Sequence, residues 1–400
     1  MLDSARRLRT AGHEVGVFAL RHADSEFTEW SEFWPEEVDF RAEAGPFLNA
    51  RLAARSLYSH SVGRHLLEMA RAFRPDVAHL HSVQHHLTLS APRALFRAGV
   101  PVVWTLHDYR TVCPSTHLMV KSRPCERCAG GRFHRALPVA CKSGSRARTA
   151  VAVGESYLSR LLGVYSNVDR FVAPSRFLAS TLTRMGLPSA ALDVLPNPIR
   201  LGAEEAAPAE FRTDVLYVGR LSSEKGPDLL LRACERLAGL RVTFVGDGPM
   251  LEDLSSYATQ HGISATFVGW ESREAVRNWM CTSRVLCVPS VCYENCPGVA
   301  LEGMEAGVPV VASDLGGLPE LLERGRCGDL VAPGDERAWA AAIEARLASD
   351  ADRVKNGRRA RQRLRLRHDP DAHTAALIRT YRSVLRARNG RRRPPLSPRA

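Results

Sequence analysis

Short apolar runs alternate with longer amphipathic stretches along most of the chain. In the first half this pattern predicts strands at 13–20, 77–81, 101–107 and 170–174, with helices between them, such as 53–73. The pattern restarts after Pro196-Asn197-Pro198. Strands are then expected at 215–219, 241–246, 265–269, 285–289 and 308–312, and a helix at 227–237. Such βα alternation predicts an α/β protein of two doubly wound units, each a parallel sheet with helices on both faces. Ligands in sheets of this kind bind beyond the carboxyl ends of the strands, so the site is expected in a cleft between the units.

The expected divisions are a first domain at 1–199, interrupted by a Cys-rich insertion at 113–141, and a second at 200–368, with a hinge near 196–212. A helix at 369–388, opened by Asp369-Pro370-Asp371, is expected to cross back to the first domain. The basic tail at 389–400 is expected to be disordered.

Composition supports a folded globular chain. At 400 residues it is too long for one ordinary core. No uncharged apolar stretch is long enough to cross a membrane, and no signal segment follows Met1. A cytoplasmic protein is expected, with peripheral contact at the inner face of the plasma membrane allowed by its charge. The formal net charge is +12, carried mostly by arginine, since lysine stands only at 121, 142, 225 and 355. That excess reflects either GC-rich coding or attraction to an anionic surface such as lipid headgroups or a polyprenyl phosphate. No nucleic-acid module accompanies it, so nucleic acid is not expected as a partner.

Candidate chemistry concentrates after the strands of the second half. Glu294-Asn295-Cys296-Pro297-Gly298-Val299-Ala300-Leu301-Glu302 follows one strand and precedes another. A helix starting at Pro297 or Gly298 would aim unsatisfied N–H groups and its positive end at a diphosphate. Glu302, one turn in, suits a ribose diol, and Glu294 in the loop suits the sugar. Arg220 and Lys225, within Gly219-Arg220-Leu221-Ser222-Ser223-Glu224-Lys225-Gly226, add cations for the leaving diphosphate. Gly246-Asp247-Gly248 offers a floor for the nucleoside, and Gly316-Gly317-Leu318-Pro319-Glu320 should face the same cleft. No acidic pair suggests a catalytic metal.

With those elements in place, residues 213–345 resemble the donor domain of retaining glycosyltransferase family 4, which has the two-domain glycosyltransferase B fold. The resemblance implies that Arg220 and Lys225 bind the diphosphate, Glu302 the ribose and Glu294 the transferred sugar. It implies a UDP-, GDP- or ADP-linked donor, a glycan, lipid-linked or small-molecule acceptor, and a place in cell-envelope polysaccharide synthesis. It also implies that His107, in His107-Asp108 at the end of a first-half strand, lies near the attacked anomeric carbon. His81 is a further candidate there. The family usually has Glu-Ala where this chain has Glu302-Gly303, which should weaken the helix slightly. Family members also begin with a strand and a Gly-rich loop ahead of the helix at Arg6-Arg7-Leu8-Arg9, so a mis-assigned start or a truncation is expected. A nucleotide-sugar epimerase, and a sugar-nucleotide-binding protein without catalysis, are the alternative readings.

Cys113, Cys125, Cys128 and Cys141 include the Cys-x-x-Cys knuckle spacing. A structural zinc or iron–sulfur cluster, disulfides and unlinked thiols all remain open. Cys292 and Cys296 read as buried thiols beside the donor site. The stretch 132–148, with Phe133, Leu137 and nearby Arg51, Arg55 and Arg64, is a candidate membrane-facing surface.

Overall fold

The computed structural model describes residues 2–22, 25–26, 28–36, 55, 58–83, 87–187, 192–202, 210–348 and 350–391. Two parallel sheets organise them. The first contains β1 (Ala78–His81), β2 (Val102–Thr105), β5 (Arg170–Ala173) and β6 (Leu192–Val194), in the order β1-β2-β5-β6. Between β2 and β5 lies the insertion, with a small antiparallel pair, β3 (Met119–Val120) and β4 (Arg123–Pro124). The second sheet contains β7 (Thr213–Val218), β8 (Val242–Val245), β9 (Ala265–Gly269), β10 (Ser283–Val288), β11 (Val310–Ser313) and β12 (Asp329–Val331). Its order is β12-β11-β10-β7-β8-β9, so the strand order reverses between β7 and β10. Crevices at such reversals are where doubly wound sheets hold ligands.

Burial on both faces explains why the second-sheet strands read as continuous apolar runs. Along β7, Val215 and Tyr217 pack into one cluster with Leu230, Phe244, Trp339 and Ile343. Leu216, pointing the other way, packs with Leu286, Leu301, Met304 and Leu364. The period of two sends alternate residues to opposite layers of helices.

One strand expectation is corrected. Residues 13–20 form irregular chain and no ladder. Their apolar alternation is used instead in a small cluster of Val17, Ala5 and Trp34, and the Trp34 indole donates to the Val17 carbonyl at 2.8 Å. A strand needs a neighbour for its hydrogen bonds. Among the described residues β1 pairs only with β2, and a cavity lies between β1 and Phe18–Leu20. The short edge strands β6 and β12 were not anticipated.

The helix expected at 53–73 is described as His60–Phe73, with the Ser59 hydroxyl accepting from the Val62 N–H at its start. Residues 53–54 and 56–57, with Arg51, lie outside the described residues, as does 203–209 of the expected hinge. The insertion is loop-rich, with positive φ at Thr116, Leu118, Lys121, Ser122 and Ala140. Leu118, Phe133 and Ala136 anchor it in the first core. Phe133 is therefore not on a membrane-facing surface: its ring packs edge-on against Tyr157 and under the Arg160 guanidinium.

The last helix, Pro370–Arg391, starts where the Asp369 carboxylate accepts from the Ala372 N–H at 2.7 Å. It lies on the first sheet, with Val384 against Val103 and Val172, and Arg388 paired with both oxygens of Asp169 at 2.9 and 3.0 Å. It runs past the expected end at 388, so 389–391 are helical; 392–400 lie outside the described residues. Among the described residues no helix is long and apolar enough to cross a membrane.

Candidate active site

The loop after β10 gathers the polar residues. The Glu294 carboxylate accepts from the Ser290 hydroxyl and from the Lys225 ammonium, both at 2.7 Å. Lys225 comes from the turn after β7, which ends at Gly226 with φ 67°. A side chain at Gly226 would strike the Pro289 carbonyl, so glycine here lets the turn close onto β10. Burial, the largest influence on Lys225, pulls its pKa down; the Glu294 charge and hydrogen bond, with Cys292 and Glu224, outweigh it and raise it. Lys225 therefore stays cationic.

Two further contacts fix the loop. The Gly317 N–H donates to the Glu294 carbonyl at 2.6 Å, and a Cβ on Gly316 would come 2.6 Å from the same oxygen. This close approach is the physical reason for the Gly316-Gly317 pair. The Asn295 side-chain amide donates to the His107 carbonyl at 2.6 Å. Adjacent residues thus bind the cation of one unit and the strand end of the other.

Arg220 is exposed in the same turn as Lys225. Behind it, Gly219 and Gly246 lie back to back: a Cβ on Gly246 would strike the Gly219 carbonyl, and one on Gly248 the Leu221 carbonyl. The helix Gly298–Ala306 begins after Pro297, which caps none of its N–H groups with a side chain. Gly298 and Val299 occupy its first two positions. Glu302 lies farther along, with Arg273 at 3.6 Å. Burial raises the Glu302 pKa, and Arg273 opposes that shift.

A cavity of about 1520 Å³ opens between the units, with Glu302, Glu305 and Arg273 on one wall and His79, His81 and His107 on the other. Lys225 and Glu294 are not in these walls. The expected residues therefore form two groups, Lys225 with Glu294 and Glu302 across from His107, joined through the Asn295–His107 contact. His107 bonds ring to ring with His81 at 3.0 Å, and burial lowers its pKa against the opposing Asp108.

Ser290 and Asn295 were given no role by the sequence, and Glu320 was expected at the cleft but does another job. Glu320 is the terminal residue of the Gly-Gly element, and it does not line the cavity. It accepts from the Arg176 and Phe177 N–H groups at 3.1 and 3.0 Å, capping a helix of the first unit. No spacing rule links residues so far apart in sequence. His79 was legible in principle, since His79-Leu80-His81 places two imidazoles on one side of a strand end.

Burial and then the neighbouring Cys113, Cys141 and Cys125 push the Cys128 thiol up to about 12, so the four share one neighbourhood. They do not form a ligand shell: among the described residues no three His, Cys, Asp or Glu stand where they could hold a metal ion. The Cys113 sulfur instead sits 3.2 Å from the Ser115 hydroxyl. Among the described residues no disulfide links the cysteines. Cys292 is buried and Cys296 half-buried, and burial first of all pushes both thiols up to about 12.

Comparison with known proteins bears on the family and the fold. Residues 1–202 match the model of Glycosyltransferase Family 4, and residues 212–349 that of Glycosyl transferases group 1. The D-inositol 3-phosphate glycosyltransferase of Mycobacterium avium is 34% identical over 216 residues, 52% of this chain and 50% of that protein. The chain thus spans about half the length of that relative. Glycogen synthase of Mycobacterium tuberculosis is 30% identical over 337 residues, 81% of this chain and 72% of that protein. Among solved structures, Anabaena HepE in complex with UDP superposes with a TM-score of 0.62 at 19% identity, covering 81% of this chain and 82% of that one. Sucrose-phosphate synthase of Thermosynechococcus elongatus gives 0.65 at 18% identity, covering 96% and 92%. Both have the same two-unit fold.

Proposed function

This chain belongs to glycosyltransferase family 4, and we propose that it moves a sugar from a nucleoside-diphosphate sugar to a hydroxyl of a glycan, lipid-linked or small-molecule acceptor, with retention and without a catalytic metal. The observation that carries this reading is the Glu294-Asn295 loop, bonded at once to Lys225 and to the His107 carbonyl. This loop ties a cation and a carboxylate of the second unit to the strand end of the first.

In this reading Lys225 and Arg220 take the diphosphate, whose charge grows as the sugar leaves, together with the uncapped start of the helix Gly298–Ala306. Glu302 takes the ribose hydroxyls after releasing Arg273. Glu294 orients the sugar and is not a nucleophile. The attack is on the front face, and the acceptor proton passes to the leaving phosphate oxygen. The back-to-back turns at Gly219 and at Gly246 to Gly248 hold the nucleoside.

HepE is described with UDP and with UDP-glucose, so UDP-sugars are the first donors to try. A panel of nucleotide-sugars is screened for thermal stabilisation, then for transfer to membrane-extract acceptors. Lys225→Ala and Glu294→Ala should each abolish transfer in folded protein, and full activity in either overturns the site. The named relatives transfer or polymerise sugars, which does not favour the epimerase alternative.

Two further proposals concern setting and cofactor. Residues 132–161 expose the apolar Leu137, Val151, Tyr157 and Leu161 and also Arg132, Arg135, Arg146 and Arg148. This stretch suits an anionic membrane, consistent with cell-envelope polysaccharide assembly. Binding to anionic vesicles that is unchanged between low and high salt would remove the electrostatic reading. The four-thiol neighbourhood has the donor chemistry of a structural zinc or iron–sulfur site, although the sulfurs must draw together to take one up. Less than about half an equivalent of metal per chain after aerobic and anaerobic purification would exclude it.

A further inference from the structure

Three imidazoles meet toward the carboxyl ends of β1 and β2: His107 and His81, both candidates beside the reacting carbon, and His79, which the transfer reading does not use. His79 is fixed at both ring nitrogens, Nδ1 2.7 Å from the Tyr381 hydroxyl and Nε2 2.7 Å from the Thr105 hydroxyl. Tyr381 arrives on the last helix, so the end of the chain locks this ring in place. His81, two residues on and on the same side of the strand, packs against His79 with ring centroids 4.2 Å apart. Its other side faces His107, with centroids 5.3 Å apart and rings nearly parallel. His81 Nδ1 lies 3.0 Å from His107 Nε2. The following residue, Ser82, has φ 42°, a conformation that non-glycine residues adopt at some cost and that ends the strand sharply at this pair.

A neutral imidazole has one N–H and one bare nitrogen. One ring must donate across the His81–His107 bond and the other accept. If His81 Nδ1 carries the hydrogen, His107 Nε2 is bare and its hydrogen is on Nδ1. If His107 Nε2 carries it, His81 Nδ1 is bare and its hydrogen is on Nε2. In either case the two rings share the same tautomer. The outer nitrogen of His107 is a donor in the first arrangement and an acceptor in the second. The tautomer of either ring therefore fixes that of the other, and with it whether the outer nitrogen of His107 donates or accepts.

We propose that His81 is a positioning residue for the transfer, acting through its ring-to-ring hydrogen bond to set the tautomer and orientation of His107, with His79 and Tyr381 as its fixed support. The proposal deepens the glycosyltransferase reading and rests on it for the part concerning substrate. The tautomer coupling itself is independent of any activity.

The test is nitrogen NMR of the full chain with ¹⁵N-labelled histidine. In the ligand-free wild type at neutral pH, His81 and His107 should both be neutral and show the same tautomer. In His81→Phe, which keeps a ring and loses the bond, His107 should shift its tautomer balance. In His107→Phe the same shift should appear at His81, so either variant suffices if the other does not fold. Different tautomers in the wild type, or an unmoved partner in a folded variant, overturn the proposal. With a donor identified, His81→Phe should lower turnover about tenfold or more while donor KM holds. Loss of donor binding instead would mark His81 as merely structural. A protein that transfers nothing but shows matched tautomers would fail the functional reading and leave the coupling standing.

Discussion

The pairing of Lys225 with Glu294 changes how each residue must work. Motif reading marked Lys225 for phosphate and Glu294 for sugar; the structure has them holding each other 69 positions apart in sequence. No periodicity reports such a contact, which depends on β7 and β10 being neighbours in the sheet. Donor binding must therefore divide the Lys225 ammonium between Glu294 and phosphate. Glu294→Gln separates the charge from the shape. The amide keeps the volume and can still accept from Ser290, so the melting temperature should change by only a few degrees. The Lys225 pKa should fall, because burial lowers it and the Glu294 charge that overcame burial is gone. Transfer should drop about 100-fold or more. Amine titration by NMR checks the first effect and a donor-consumption assay the second. A Lys225 pKa that stays high in Glu294→Gln would show that Glu294 does not control it.

Among the elements, the helix Gly298–Ala306 is where the sequence and the structure give opposite advice. In isolation Gly303 looks like a weakness that Ala would repair by about 1 kcal/mol. In the fold, a Cβ at Gly303 would lie inside the radius of the Leu286 side chain, with Val310 3.4 Å away. The glycine lets the helix sit close on β10 and β11. Gly303→Ala should therefore destabilise by about 1 kcal/mol net, overpacking of about 1–3 kcal/mol exceeding the propensity gain. Adding Leu286→Val should recover more than the separate effects allow. Urea unfolding of the four proteins in this cycle measures it. The same logic sorts what was legible. The interior strands β7, β8, β10 and β11 announce themselves because both faces are buried. The edge strands β6 and β12, of three residues each, carry too little apolar pattern. Residues 13–20 carry the pattern without a pairing partner, and so mislead.

At the scale of the whole molecule, the two-unit plan was legible and the ties between the units were not. Those ties are Asn295 to the His107 carbonyl, Glu320 to the helix at Arg176, and the last helix returning to the first sheet. All join residues remote in sequence, and one of them places Tyr381 on His79. This arrangement has a consequence for acid stability. Burial first, then neighbouring histidines, hold His79 down at about 3 and His81 at about 2, against an ordinary 6.5. Between about pH 6.5 and 3 the unfolded chain binds protons at these positions that the folded chain refuses. Stability must then fall as pH falls through that window, with each such histidine adding a slope of up to about 1.4 kcal/mol per pH unit. His79→Gln can donate to one of Tyr381 and Thr105 and accept from the other, and it does not titrate. Its melting temperature should thus fall less steeply than that of the wild type from pH 6.5 to 4. Parallel slopes would mean that His79 is already protonated in the native state, or that it is not held between those two hydroxyls.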